Sequence, residues 1–186
     1  MESTPISSSA DGAARGHVAR SSRPLRRVIA AGAARGVAGG LVATVAMSAV
    51  MLGAQKIGLL GRAPPRKLTD AALRAVGLLG STPEPARRAL ATLGHFAFGG
   101  ACGALFGVAH DVWRARAAST SGVRGHRAPI AAGVAFGTAI WTVSYAGWVP
   151  ALRIMPTPKN DRPGRPASMV LAHWVFGAVL AKIIAA

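Results

Sequence analysis

Two short segments carry the side chains best suited to chemistry. His95-Phe96-Ala97-Phe98-Gly99 and His173-Trp174-Val175-Phe176-Gly177 both read His-aromatic-small-Phe-Gly. Upstream, Arg87, Ala89 and Leu93 answer to Arg165, Ala167 and Leu171. Each His lies in an apolar run, where an ionisable side chain is rare and has a partner or a function. Three chemistries compete for the pair. In the first, each imidazole hydrogen-bonds a hydroxyl on a neighbouring helix, with Thr44, Ser48, Thr142 and Ser144 as candidates; such a bond contributes about 0.6 kcal/mol. In the second, His95 and His173, with Ser48 and Ser144, line a polar site for a proton or small ligand. In the third, the two imidazoles bind a metal or serve as axial ligands to a haem. The structural reading leads, so no metal and no cofactor are expected. Cys102 is the only cysteine, which excludes an intrachain disulfide and a cysteine metal cluster.

Signatures of catalysis are missing. The chain has no Walker loop, Gly-x-Ser-x-Gly or His-Glu-x-x-His, and its six acidic residues form no intramembrane pair. His110-Asp111 reads as a helix-end pair. The expectation is a protein that is not an enzyme.

The elements that position the histidines follow from the charge distribution. No Asp, Glu, Lys or Arg occurs at 36–55, 89–110 or 128–152, and Lys182 is the only one in 167–186. At about 1.5 Å per residue, twenty such residues cover a hydrocarbon core of about 30 Å. The pattern predicts an all-α fold, a four-helix transmembrane bundle with spans at 33–57, 89–110, 128–150 and 167–186. Residues 1–27, rich in Ser, Ala, Gly and Arg, read as a disordered basic tail, and 28–186 as the membrane domain. Between the first two spans, 68–79 has the pattern of an amphipathic helix lying on the bilayer or over the bundle. Trp113, Tyr145 and Trp148 fall near span ends and suit interfacial anchoring.

The doubled motif implies a doubled unit. Gly36-Val37-Ala38 and Gly40 match Gly133-Val134-Ala135 and Gly137, and Lys56-Ile57 matches Arg153-Ile154. The chain reads as two tandem helix-loop-helix repeats in parallel orientation, which puts His95 and His173 at equal depth on parallel helices. Gly36, Gly40, Gly99, Gly103, Gly107, Gly133, Gly137 and Gly177 recur at small-xxx-small spacing and predict close helix packing. A further glycine face would suit a homo-oligomer or a membrane-protein partner.

The net charge of +16 comes from basic residues in the tail and loops. There it serves topology and contact with anionic headgroups of the lipid bilayer, not nucleic acid. Lys and Arg counts tie across the membrane. The Arg23, Arg26, Arg27 cluster before the first span favours cytoplasmic termini.

The order of parts resembles the small YagU-like inner-membrane proteins of bacteria and related four-helix families of unknown function. Ala43-Thr44, Met47-Ser48, Gly94-His95, Trp141 and His173 carry the resemblance over about residues 30–186. It implies a multi-pass protein of the bacterial cytoplasmic membrane and supplies no activity. The basic tail and the Pro-rich last loop depart from it. The expected function is that of an accessory or structural helix bundle. A small transporter or proton-linked site on the paired histidines is the alternative, and bis-histidine haem or metal binding a weaker one.

Overall fold

Apolar runs rich in Ala and Leu propagate as helix once a first turn has formed. The computed structural model describes residues 9–61, 63–121 and 130–186, with side chains at 25–61, 63–117 and 130–186. The described residues form five helices and no strand: α1 (Ser9–Lys56), α2 (Pro64–Ala75), α3 (Glu84–Ser121), α4 (Ile130–Ala151) and α5 (Arg165–Ala185). Four segments are long and apolar enough to cross a membrane: Leu25–Lys56, Glu84–Ala117, Ile130–Ala151 and Arg165–Ala185. They extend the expected spans at several ends, because helix continues past the last uncharged residue. The tail expected at 1–27 lies partly outside the described residues, at 1–8. From Ser9 its backbone is continuous with α1, so residue 27 marks a change of composition and not a break in the helix.

The loop helix lies earlier than the expected 68–79. Pro64 and Pro65 start α2, since proline's fixed φ suits the first helical turn. Its end is set by Gly77 (φ +73°). Gly77 N–H donates to the Arg74 carbonyl and Leu78 N–H to the Leu73 carbonyl, the paired bonds of a left-handed C-terminal cap. Val76 and Leu79 therefore fall outside the helix.

α1 packs against α3 on one side and α5 on the other, and α4 packs on α5. α1 and α3 form one antiparallel hairpin, α4 and α5 a second. Between α3 and α4 the tie is a ring contact, Phe106 against Phe136 with centroids 5.1 Å apart. Glycine sets the closeness of both hairpins. A Cβ on Gly36 would collide with the Gly103 carbonyl, one on Gly40 with the Gly99 carbonyl, and one on Gly133 with the Gly177 carbonyl.

The two hairpins match in kind and differ in register. α1 ends at Gly58 (φ +81°), with Leu59 N–H bonded to the Ala54 carbonyl. α4 ends in the same way at Arg153 (φ 55°), with Ile154 N–H bonded to the Val149 carbonyl. Arg153 thus answers to Gly58 and not to Lys56. In the first hairpin Gly36 faces Gly103 and Gly40 faces Gly99, which sets His95 level with Thr44. In the second, Gly133 faces Gly177 and Gly137 faces His173. The second hairpin has therefore slipped by one turn, about 6 Å. The two units are therefore packed alike but not in the same register. α3 offers three packing glycines in sequence, whereas Gly177 is the only glycine in α5 and is shared between two turns of α4.

Candidate functional site

At the end of the bundle covered by α2, the helices separate around a cavity of about 350 Å³. Both His95 and His173 line it. Met47, Met51, Met155 and Met169 also line it, which is every methionine after the first residue, together with Cys102. Among the described residues no Asp, Glu, Lys or Arg is on its wall. Pro64, Leu68 and Ala72 of α2 form the roof.

α3 and α5 supply the histidines in different states of burial. His173 is 5 % exposed, and its Nδ1–H donates to the Met169 carbonyl one turn back, at 2.7 Å. A carbonyl only accepts, so Nδ1 carries a proton, and in the neutral ring Nε2 is left with a lone pair. His95 is half-buried, and its Nε2 is shielded from solvent with no hydrogen-bond partner. Neither ring takes a hydroxyl from a neighbouring helix, which corrects the expected structural bond. Thr44, Thr142 and Ser144 each donate to the carbonyl four residues back, on Gly40, Thr138 and Ile140. That acceptor is always within reach on the donor's own helix. The hydroxyl bond between helices comes from the next motif position, Trp174 Nε1–H to Thr138 Oγ1 at 2.9 Å.

Two expected site residues are thus revised. Ser144 lines the cavity with its hydroxyl engaged. Ser48 does not line it; the facing stripe of α1 is Thr44, Met47 and Met51, and position 48 lies beside that stripe. The glycines divide as well. Gly103, Gly107, Gly133, Gly137 and Gly177 lie at helix contacts, while Gly99 both touches α1 and borders the cavity. Phe98 is 49 % exposed at the cavity rim.

The wall from α4 has an unforeseen cause. Thr142–Trp148 is a π-helical segment that brings Ser144, Tyr145 and Trp148 to the cavity. The signal for it is Pro150, which lacks the N–H that Ala146's carbonyl would accept and whose ring crowds that carbonyl. The widened turn then closes through Val149 N–H to the Ser144 carbonyl. Tyr145, expected as an interfacial anchor, is buried instead. Its hydroxyl donates to Asp161 at 2.5 Å, and Arg165 holds the same carboxylate.

The rim is tied by ion pairs. Arg66 of α2 grips both oxygens of Glu84 at 2.9 and 2.8 Å, and Arg87 and Arg88 join the same carboxylate. The Glu84 hydrogen bond holds the Arg66 guanidinium pKa above its usual value. From the other unit, Arg162 donates to the Gly58 carbonyl and Arg165 to the Leu60 carbonyl, both at the end of α1. Five arginines expected to face headgroups therefore have partners within the protein.

A second polar cluster lies at the far end. Arg35 pairs with Asp111 at 2.5 Å, joining α1 to α3, and His110 Nδ1 lies 3.4 Å from the other Asp111 oxygen. Both His110 and Asp111 are buried, where a helix-end pair at the surface was expected. Asp111 also falls within a candidate span, contrary to the expectation that no acid does. Arg35, just outside the uncharged run, neutralises it. Among the described residues no three His, Cys, Asp or Glu side chains gather as a metal site.

The fold defines an all-helical bundle with four helices of membrane-spanning length and a cavity at one end. The chain belongs to the DUF6789 family, a family of unknown function, whose model matches residues 30–186. No curated protein and no solved structure matches it.

Proposed function

We propose that the chain is a multi-pass protein of a bacterial inner membrane, related to the YagU-like proteins, with both termini cytoplasmic. In this reading it acts as an accessory protein that binds a small, neutral, lipid-soluble molecule and carries out no catalysis. The observation that carries the reading is the cavity. Phe98 of α3 and Trp148 of α4 both line it while 49 % and 40 % exposed, so it opens sideways between those two helices. In a bilayer that opening faces lipid. An apolar cavity with a few polar atoms and no charge suits a neutral ligand, and about 350 Å³ is within the usual range for small-molecule sites.

Binding is favoured over transport by what lies beyond the cavity. The Gly40–Gly99, Gly36–Gly103 and Gly32–Gly107 contacts bring α1 and α3 together backbone to backbone. That layer leaves no space for a path between these helices.

The test is to extract the purified protein with organic solvent and identify bound small molecules by mass spectrometry, comparing wild type with Gly94→Phe. Gly94 lines the cavity, and a Cβ there meets nothing within 4 Å, so a larger side chain can be started from it without a backbone clash. A molecule present in wild type and depleted in Gly94→Phe is the expected result. Equal recovery from both proteins overturns the reading.

A further inference from the structure

Resting on the binding reading above, we infer that the cavity receives the hydroxylated aromatic head of a membrane-soluble lipid, a quinol, with His173 Nε2 accepting a hydrogen bond from its phenolic hydroxyl.

Size sets the first limit. A cavity of 150 Å³ lined by apolar side chains holds benzene. About 350 Å³ is roughly twice that, which fits a bicyclic ring or a heavily substituted single ring. The tail of such a lipid leaves through the opening between Phe98 and Trp148 into the acyl chains.

The wall sets the second. Tyr145, Trp148, Phe98 and Phe176 offer ring faces and edges, and the four methionines offer thioethers. Sulfur-aromatic and ring-ring contacts both favour a flat π-system over a saturated chain.

Hydrogen-bond polarity sets the third and is the most discriminating. The Thr44 and Ser144 hydroxyls donate to the Gly40 and Ile140 carbonyls and Tyr145 to Asp161, so these three oxygens can only accept from a ligand. The His173 imidazole is the polar group on the wall whose direction is fixed, beside the Thr69 hydroxyl and the Trp148 indole N–H. Because His173 donates through Nδ1 to the Met169 carbonyl, its Nε2 presents a lone pair. A ligand carbonyl facing it would set lone pair against lone pair, whereas a ligand hydroxyl donates to it. His95 lines another wall, but its Nε2 is shielded, so His173 is the imidazole that presents an acceptor to the ligand. The fixed imidazole of His173 thus selects the hydroxyl of the reduced form over the carbonyl of the oxidised one.

The experiment titrates full-length protein in nanodiscs, without oxygen, with a geranyl-substituted naphthohydroquinone and with its dimethyl ether, following tryptophan fluorescence. The ether keeps the ring and tail and lacks both donors. Wild type is expected to bind the quinol at least tenfold more tightly. In His173→Phe that ratio is expected to fall below threefold, with the ether's affinity within threefold of wild type. Equal affinities of wild type for quinol and ether overturn the quinol inference while leaving the binding reading intact. A ratio unchanged in His173→Phe overturns it too. If His173→Phe does not fold, the wild-type ratio decides alone. Failure of wild type to bind either probe, with nothing recovered in the extraction test, removes both readings.

Discussion

His173 shows how one backbone bond turns a side chain into a directional acceptor. The Met169 carbonyl takes the Nδ1 proton, so Nε2 is left to accept. The doubled motif is legible in the sequence and leads to the cavity wall. The partner of the ring is not, because an i−4 carbonyl is available at every helical position and leaves no mark in residue types. The same explains why Ser144 and Thr44 have no hydroxyl proton left to donate to a neighbouring group. Ser144→Ala is predicted to change thermal stability in detergent by less than about 1 kcal/mol, with ligand recovery unchanged. Arg153 is a further residue-scale case. Among the described residues it is the only non-glycine at positive φ, at the position Gly58 occupies in the first unit. Arg153→Gly is predicted to stabilise the protein by about 1 kcal/mol, measured as a rise in unfolding midpoint.

Elements decide which residues meet. The glycine spacing announces α1 against α3 and α4 against α5. The one-turn slip of the second hairpin depends on how many glycines each partner supplies, which the motif alignment does not weigh. Gly103→Leu drives a side chain into the Gly36 carbonyl and Gly40 backbone. It is predicted to cost about 3 kcal/mol or more, seen as lost monodispersity and a lower melting midpoint. Gly53→Leu, where a Cβ meets nothing within 4 Å, is the matched control and should change little. The π segment is the element that sequence periodicity misses, since a single widened turn leaves the apolar pattern of α4 intact. Pro150→Ala restores the missing N–H. It is predicted to return the segment to α-helix, swing Trp148 off the cavity and reduce ligand recovery, with total helix content unchanged by circular dichroism.

At the scale of the whole molecule, the run lengths of uncharged residues predict four long helices, and the structure has them. The cavity is a property of the assembly. It needs α2 as roof, the π segment as one wall and the sparse α3–α4 contact as opening, three features contributed by distant parts of the chain. No local window of sequence contains it. Arg35 and Asp111 are similarly remote in sequence and adjacent in space. Asp111→Leu is predicted to destabilise by about 1–3 kcal/mol, with part of the loss recovered in the Arg35→Leu/Asp111→Leu double variant. A thermal double-mutant cycle measures it. Overall orientation is checked by a reporter fused after Ala186, expected to be active on the cytoplasmic side.

The central claim is that the space between His95, His173, Phe98 and Trp148 is a binding site. The most direct measurement is an electron cryomicroscopy map of the native protein in nanodiscs of its own lipids, enlarged with a rigid antibody fragment. The account predicts flat non-protein density in the cavity, within hydrogen-bonding distance of His173 Nε2 and continuous with the bilayer past Trp148. A cavity closed by inward movement of Met47, Met51, Met155 and Met169, with no such density, would contradict it.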